Sequence, residues 1–336
     1  MSQFSALYIE EGCRDWPRVQ NIIAQCPDIP RISCGRYGEV FNLKAQNFRL
    51  QKQYAGLILA KKHRHFVLPA PAGYGFGNEH SYYFSHMLNC PYDCRYCFLQ
   101  GMYRSAHHVL FVNYADFERE IEGVISDLAG KPCYFYSGYD CDSLAFEQYS
   151  RFAAHFIPVF QRHPQAYLEL RTKSTQVRPL MRHTPSQNIV VALSFSPENV
   201  ARHLEHRAPA LSKRIAAAKK VQERGWPLAL RFEPLIDHEG YEAHYQRLFA
   251  RLFRELDASA LHSVSIGFFR MPQPFFKNIV KLYPDEPLFA GNFTTRRGLT
   301  SYAPDIEAEM LSVCEKALLE YIPGDIYYRC EMEHAS

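Results

Sequence analysis

The sequence predicts an α/β fold that closes into a partial barrel of six strand–helix repeats. Short runs that are apolar on both faces alternate with longer runs whose apolar residues recur every three or four positions. The chain has 336 residues and is 47% hydrophobic, which suffices to bury a full core and excludes disorder. Repeated strand–helix units form parallel sheets covered by helices, and a partial or full β/α barrel is the most economical closure.

The predicted strands are short and apolar on both faces, as residues 189–193 (Ile-Val-Val-Ala-Leu) illustrate. This composition is typical of parallel strands that helices cover on both sides. The strands predicted on this basis comprise residues 81–87, 133–137, 166–173, 189–196, 228–235 and 264–269.

The predicted helices carry an apolar face, as Phe152, Phe156, Val159 and Phe160 show for one of them. They comprise residues 114–129, 146–162, 212–224, 241–256, 274–282 and 305–321. In β/α barrels the chemistry gathers at the C-terminal ends of the strands. We therefore expect the site in the loops that begin near Met87, Ser137, Lys173, Ser196, Leu235 and Arg270.

Three segments are expected along the chain: an N-terminal segment (1–79), the partial barrel (80–285) and a C-terminal helical extension (286–336). The N-terminal segment is predicted to be small and irregular, because turn-forming residues cluster at 26–30 and 69–77. The second of these stretches is predicted to be a linker or a surface loop.

Charge and cysteine content narrow the classes of function. Lys and Arg number 38 against 35 Asp and Glu, a net charge of +3, which is not the strongly basic balance of an obvious nucleic-acid binder. No apolar run approaches the ~18 residues of a spanning helix, and no secretory signal is visible, so we expect a cytoplasmic protein without a membrane partner. Ten cysteines in such a chain indicate metal or redox chemistry.

The strongest signal is the run Cys90-Pro-Tyr-Asp-Cys94-Arg-Tyr-Cys97, directly after the first predicted strand. Three thiolates this close in sequence converge when the loop wraps around a metal. A four-iron cluster normally takes four cysteines, so three would leave one iron open to a substrate or cofactor. A structural zinc ion is the alternative, with its fourth ligand from His80, His86 or Cys141.

This spacing, with Tyr96 just before the third cysteine, resembles the signature of the radical S-adenosylmethionine (AdoMet) enzymes, whose fold is also a partial barrel. The resemblance implies a [4Fe-4S] cluster that cleaves AdoMet to a 5′-deoxyadenosyl radical. Further runs resemble the spore photoproduct lyase-like family in the same order. They comprise residues 7–10, 94–100, 136–137, 171–174, 192–194, 214–225 and 234–241.

The resemblance assigns roles to particular residues. Cys90, Cys94 and Cys97 would hold the cluster, and the strand-end hydroxyls of Ser137 and Ser194 would bond to AdoMet. Lys173 would pair with the methionine carboxylate in a charge-assisted contact. Tyr96 would pack beside the adenine.

Two departures from the family pattern fall in the return of hydrogen to the substrate. Phe135 stands where the family has a hydrogen-donating cysteine, and Phe98 where it has a relay tyrosine. A phenyl ring has no weak X–H bond to donate. Cys141 is the candidate donor if the loop before it folds back, and Tyr96 is a candidate for the relay, with Tyr136 and Tyr139 as alternatives.

The resemblance also implies a DNA base lesion as substrate and a low-potential electron donor such as flavodoxin or ferredoxin. Basic pairs, including Arg296 and Arg297 in a stretch where the family carries a DNA-inserting hairpin, could contact phosphates or form a solvated face. Two alternatives stay open. One is radical chemistry on tRNA, a peptide or a metabolite, and the other is a non-catalytic nucleic-acid-binding iron–sulfur protein.

Overall fold

The computed structural model describes residues 4–71 and 78–330. Residues 72–77, which make up most of the predicted linker, lie outside the described residues, as does the end of the C-terminal extension (331–336). Strands are numbered β1 to β18 and helices α1 to α13 along the chain.

The strands are mostly short and gather into two large sheets and two small ones. In chain order they are β1 (Leu7–Glu10), β2 (Arg31–Cys34), β3 (Leu57–Ala60), β4 (Leu68–Pro69), β5 (Ser81–Tyr83), β6 (Met87–Leu88), β7 (Asp93–Cys94), β8 (His108–Phe111), β9 (Cys133–Tyr136), β10 (Ala166–Thr172), β11 (Ile189–Ser194), β12 (Glu205–His206), β13 (Leu228–Leu235), β14 (Leu261–Phe268), β15 (Arg270–Pro272), β16 (Phe293–Arg296), β17 (Leu299–Tyr302) and β18 (Tyr327–Arg329).

The helices lie between strands along the chain. In chain order they are α1 (Pro17–Ala24), α2 (Gly38–Phe41), α3 (Phe48–Gln53), α4 (Leu99–Met102), α5 (Tyr114–Asp127), α6 (Glu147–Ser150), α7 (Phe152–Gln161), α8 (Arg178–Arg182), α9 (Glu198–Leu204), α10 (Leu211–Glu223), α11 (Tyr241–Glu255), α12 (Gln273–Leu282) and α13 (Pro304–Leu319).

The main sheet confirms the predicted partial barrel. Its order is β18-β14-β13-β11-β10-β9-β5-β4, so strands from all six predicted ranges stand side by side in chain order. Of the first predicted range (81–87), only Ser81–Tyr83 joins this sheet, and Met87 belongs to β6 in the other large sheet. All six pair in parallel, as does β18 with β14, while β4 pairs antiparallel with β5. Every residue of β11 is buried, as expected for a central parallel strand covered on both faces. Within the described residues the edge strands β4 and β18 do not pair, so the barrel stays open.

The N-terminal segment is more regular than its composition predicted. Strands β1, β2 and β3 pair in parallel, and β3 continues onto β8 and β6 to form a five-stranded sheet. These strands have at most four residues, too few to show a period, and Leu57–Ala60 is held in place by neighbours distant in sequence. This sheet joins residues on both sides of the predicted boundary at residue 79, and the domain limits stay a prediction.

The C-terminal extension contains the predicted helix as α13. Before it, β16 and β17 form a hairpin that pairs with β15. Its turn residues Arg297 and Gly298 both have positive φ, as a tight two-residue hairpin turn requires. Among the described residues, no helix combines the length and apolar character needed to cross a membrane.

Candidate cofactor and active site

A cavity of about 460 Å³ lies at the C-terminal ends of the main-sheet strands. This is the end at which β/α barrels carry their chemistry. The cysteine loop forms one wall, and residues at or just beyond the ends of β9, β10, β11, β13 and β14 form the others. Its lining includes Cys90, Cys94, Tyr96, Cys97, Phe98, Cys141, Asp142, Arg171, Lys173, Ser194, Glu233, Arg270 and Cys330.

All three cysteines of the motif line this cavity. Among the described residues, no three His, Cys, Asp or Glu side chains converge as ligands of a single ion. Thiolates that bind different irons of one cluster lie further apart, and three soft sulfur donors are the ligands that such a cluster takes. The donor set therefore fits a four-iron cluster held by Cys90, Cys94 and Cys97.

Positive charge faces these thiols from two sides. Burial raises the pKa of each of them. The ammonium of Lys173 lowers the pKa of Cys94 and Cys97, while that of Lys52 lowers the pKa of Cys90 and Cys97. These cations favour the thiolate form that binds iron.

A buried network of hydrogen-bonded polar side chains holds the cysteine loop in place. Strand β7, which contains Cys94, pairs with β12, and the hydroxyl of Tyr96 donates to the carboxylate of Glu205. Glu205 also accepts from Ser196 at 2.9 Å and forms an ion pair with Arg214, and both side chains of this pair are fully buried. Tyr96 is thus held by its hydroxyl, and its ring contributes to the cavity wall.

Sequence reasoning missed Glu205 and Arg214. Arg214 lies in α10 on the same buried face as Leu211, Ile215 and Ala218. A charged residue on an apolar helix face signals a buried partner. The sequence around Glu205 does not indicate that this residue is buried, because Glu205 lies in a short polar run after α9. Only the pairing of this run with β7 determines its structure.

Lys173 and Ser194 lie at strand ends and line the cavity, and their contacts with AdoMet stay a prediction. The Lys173 ammonium lies 5.5 Å from the centroid of the Tyr96 ring. Its backbone N–H donates to Asp142 at 2.6 Å, and Thr172 donates to the same carboxylate at 2.6 Å. Lys173 therefore projects from a rigid strand end.

Ser137 occupies a different position from Ser194. It is fully buried and does not contribute to the cavity lining. Its hydroxyl donates to the carbonyl of Glu169 at 2.9 Å and lies 2.8 Å from the Ser143 hydroxyl. The expected bond from Ser137 to AdoMet stays a prediction.

The loop after β9 does bring Cys141 to the cavity. Its thiol donates to the Ser137 carbonyl at 3.7 Å and lies 3.9 Å from Nδ1 of His86. Burial raises the pKa of Cys141 well above its ordinary value, so the sulfur keeps its hydrogen. Phe135 is buried between the rings of Tyr82 and Phe160, whereas Phe98 lines the cavity.

The cavity is also lined by polar side chains to which the sequence assigned no role. Arg171 bonds to Glu169 at 2.8 Å and to Glu233 at 2.9 Å. Arg270 donates to the Cys330 carbonyl at 2.9 Å and lies 3.1 Å from its sulfur. Cys330 reaches the cavity because β18 joins the edge of the main sheet, a long-range pairing that no local pattern reveals.

Comparison with known proteins shows the family to which the chain belongs. The family model described as spore photoproduct lyase matches residues 79–298, which contain the cysteine motif and the six core strands. The chain belongs to the spore photoproduct lyase family.

Two curated members of the family are recognisably similar in sequence. The spore photoproduct lyase of Bacillus subtilis (strain 168) is 25% identical over 202 residues, and that of Geobacillus sp. (strain Y412MC61) is 24% identical over 202 residues. In both cases the match covers 59% of this chain and 59% of the relative.

Solved structures of spore photoproduct lyase share the whole fold. A mutant with bound AdoMet and dinucleoside spore photoproduct has a TM-score of 0.83 and 20% identity, covering 98% of both chains. A complex with dinucleoside spore photoproduct has a TM-score of 0.81 at the same identity and coverage. The N-terminal sheet and the C-terminal extension are thus part of the family fold.

Proposed function

We propose that the protein is a radical AdoMet enzyme that acts on a DNA base lesion. The observation that carries this proposal is the convergence of three motif cysteines, Lys173 and Ser194 on one cavity at the strand ends. Cys90, Cys94 and Cys97 would hold a [4Fe-4S] cluster there with one iron open to AdoMet, and the cluster would supply the electron for reductive cleavage of AdoMet to a 5′-deoxyadenosyl radical that abstracts hydrogen from the substrate.

The chain's own residues bind and orient the cofactor. Lys173 pairs with the methionine carboxylate of AdoMet, and Ser194 donates a hydrogen bond to it. The ring of Tyr96, held by Glu205, offers a flat surface for the adenine. Apolar residues exclude water from the reacting atoms, and those that line the cavity include Phe98, Met102, Phe268 and Phe275.

The polar lining of the cavity supports a nucleobase-like substrate. Arg171, Glu233 and Arg270 offer both donors and acceptors, as recognition of an extruded base edge requires. Solved structures of family members contain bound dinucleoside spore photoproduct, which supports a dinucleotide-like substrate for this protein. The replacement of two hydrogen-return residues by Phe98 and Phe135 favours a lesion other than that of the family's type member.

Two further partners belong to this proposal. A low-potential carrier such as flavodoxin or ferredoxin supplies the electron. DNA phosphates contact the hairpin of β16 and β17, although Arg296 there is already paired with Glu307 at 2.6 Å. We therefore expect the hairpin to bind DNA phosphates more weakly than two arginines available for phosphate contacts would.

Anaerobic reconstitution with iron and sulfide, followed by AdoMet and dithionite, tests the proposal. We expect 5′-deoxyadenosine, and we expect conversion of a pyrimidine lesion other than dinucleoside spore photoproduct. A Cys94→Ala variant treated identically is the control and is expected to form neither product. A reconstituted cluster that yields no 5′-deoxyadenosine would refute the enzymatic function and leave the non-catalytic iron–sulfur alternative.

Binding to oligonucleotides tests the substrate class separately. Affinity for a lesion-containing oligonucleotide should fall as salt rises, because phosphate contacts release counterions. An affinity that does not change with salt, together with 5′-deoxyadenosine formation, would favour a peptide or metabolite substrate instead.

A further inference from the structure

Lys52 is a buried cation beside the cysteine loop that neither the motif nor the proposed mechanism uses. It lies near the end of α3, and only 4% of its surface is exposed. Its ammonium donates to the carbonyl of Cys90 at 2.7 Å. Within the described residues, no carboxylate lies at ion-pair distance from it. A buried ammonium normally requires a paired charge, so a single carbonyl leaves Lys52 undercompensated.

The ammonium of Lys52 faces the cysteine loop, which can supply the negative charge that would compensate it. Burial lowers the pKa of Lys52, and the nearby Cys90, Asp93, Cys97 and Cys94 act in the opposite direction and favour its charged form. Asp93 is already bonded to Arg95 at 2.6 Å. Three thiolates carrying an iron–sulfur cluster would place net negative charge there and compensate the ammonium.

The backbone around Lys52 is fixed to the same loop by a second route. Arg207 donates to the carbonyls of Lys52 at 2.5 Å and Gln53 at 3.0 Å. Arg207 directly follows β12, which pairs with β7 and therefore with Cys94. Helix α3, β12 and the cysteine loop are thus connected to one another by hydrogen bonds. These bonds hold the backbone of Lys52 in place and limit how far its ammonium can turn towards solvent.

We propose that Lys52 is a positioning residue of the cluster site, whose fixed positive charge strengthens cluster binding and raises the cluster's reduction potential. The inference rests on the proposed function. Reduction adds negative charge to a group that is already anionic, so a nearby cation stabilises the reduced form more than the oxidised form. Net charge and hydrogen bonding near the cluster are among the factors that set such potentials.

Two variants separate the charge of Lys52 from its hydrogen bond. Lys52→Met removes both, whereas Lys52→Gln keeps a donor for the Cys90 carbonyl without the charge. Lys44→Met is the matched control, because Lys44 is exposed in the same N-terminal segment. The measurements are iron and sulfide content after anaerobic reconstitution and a redox titration followed by electron paramagnetic resonance (EPR).

In both Lys52 variants we expect less bound iron and about a tenfold lower ratio of reduced to oxidised cluster at a fixed potential, or about 59 mV for one electron. Lys44→Met should match the wild type. Unchanged iron content and potential in Lys52→Gln would overturn the inference. So would a large drop in the melting temperature of cluster-free Lys52→Gln, because Lys52 would then act on the fold. If the wild type itself binds no cluster, the proposed function fails instead.

Discussion

Single residues around the cavity are held by buried charge pairs. Glu169 is the best example, since it bonds to Arg231 at 2.8 Å and to Arg171 at 2.8 Å while almost fully buried. Burial disfavours its ionised form, but the two guanidinium groups outweigh burial and lower the pKa of Glu169 from near 4.5 to about 2. Ionisation of Glu169 therefore contributes to the stability of the barrel interior.

Stability should therefore depend on pH through Glu169. Its folded pKa is depressed, so its contribution is complete above about pH 4.5 and is lost as pH falls towards 2. At about 1.4 kcal/mol per unit, the contribution is on the order of 3 kcal/mol. We expect Glu169→Gln to lower the free energy of unfolding of the cofactor-free protein at pH 7, with a deficit that shrinks below pH 4.5.

Urea denaturation at a series of pH values measures this deficit. Glu255→Gln is the control, because its pair with Lys219 is exposed and should change stability by less than about 1 kcal/mol. A deficit for Glu169→Gln that stays constant from pH 7 to pH 3 would contradict the role assigned to the ion pairs.

Cys141 gives a second prediction at this scale, which rests on the proposed function. If its S–H hydrogen passes to the substrate radical, Cys141→Ala should leave 5′-deoxyadenosine formation intact while diverting the substrate to side products. Cys330→Ala is the matched control, because Cys330 also lines the cavity. Product analysis by mass spectrometry decides the case, and normal products from Cys141→Ala would remove it from the relay.

The sequence predicted residues whose roles follow from a local pattern and missed those whose roles come from distant contacts. The spacing of Cys90, Cys94 and Cys97 implies one centre, and all three line the cavity. No local sequence pattern identifies Lys52 or Cys330 as a site residue, because α3 and β18 bring them to the site from distant parts of the chain.

Among the secondary-structure elements, the contact between α4 and α12 positions the end of the cysteine loop. A Cβ atom added to Gly101 would lie 2.2 Å from the carbonyl oxygen of Phe275, so only glycine permits this approach. Asn278 in α12 also donates to the Gly101 carbonyl at 2.9 Å. The spacing of these helices is therefore set by backbone contact.

Gly101→Ala should separate α4 from α12 and destabilise the protein by about 1–3 kcal/mol, the usual cost of overpacking. Gly123→Ala is the control, since that glycine lies in α5 with no atom within 4 Å of an added Cβ. Alanine there should stabilise the helix by about 0.4–1 kcal/mol. Thermal denaturation distinguishes them, and equal melting temperatures would contradict the close approach.

The longer elements were the easiest to predict from the sequence, although the four-residue strand β9 was predicted as well. Helix α11 and strand β10 have 15 and 7 residues, enough for a period to show. Strands β1 and β3 have four residues each, and their pairing with one another supplies the information that their sequence lacks.

At the scale of the whole molecule, the fold places every part of the site at one end of an open parallel sheet. The N-terminal sheet contributes Lys52 through α3, the barrel contributes Lys173 and Ser194, and β18 contributes Cys330. The topology of the barrel was predictable because consecutive strand–helix units admit few arrangements. The contributions of α3 and β18 to the site could not be predicted, because they depend on contacts between distant segments of the chain.

The central claim is that three cysteines hold a cluster with one iron open to AdoMet. The most direct measurement is the EPR spectrum of the reduced, reconstituted protein with and without AdoMet. We predict a four-iron cluster signal that AdoMet alters in the wild type and that is absent from Cys94→Ala. A wild-type signal that AdoMet leaves unchanged, or zinc bound in place of the cluster, would contradict the account.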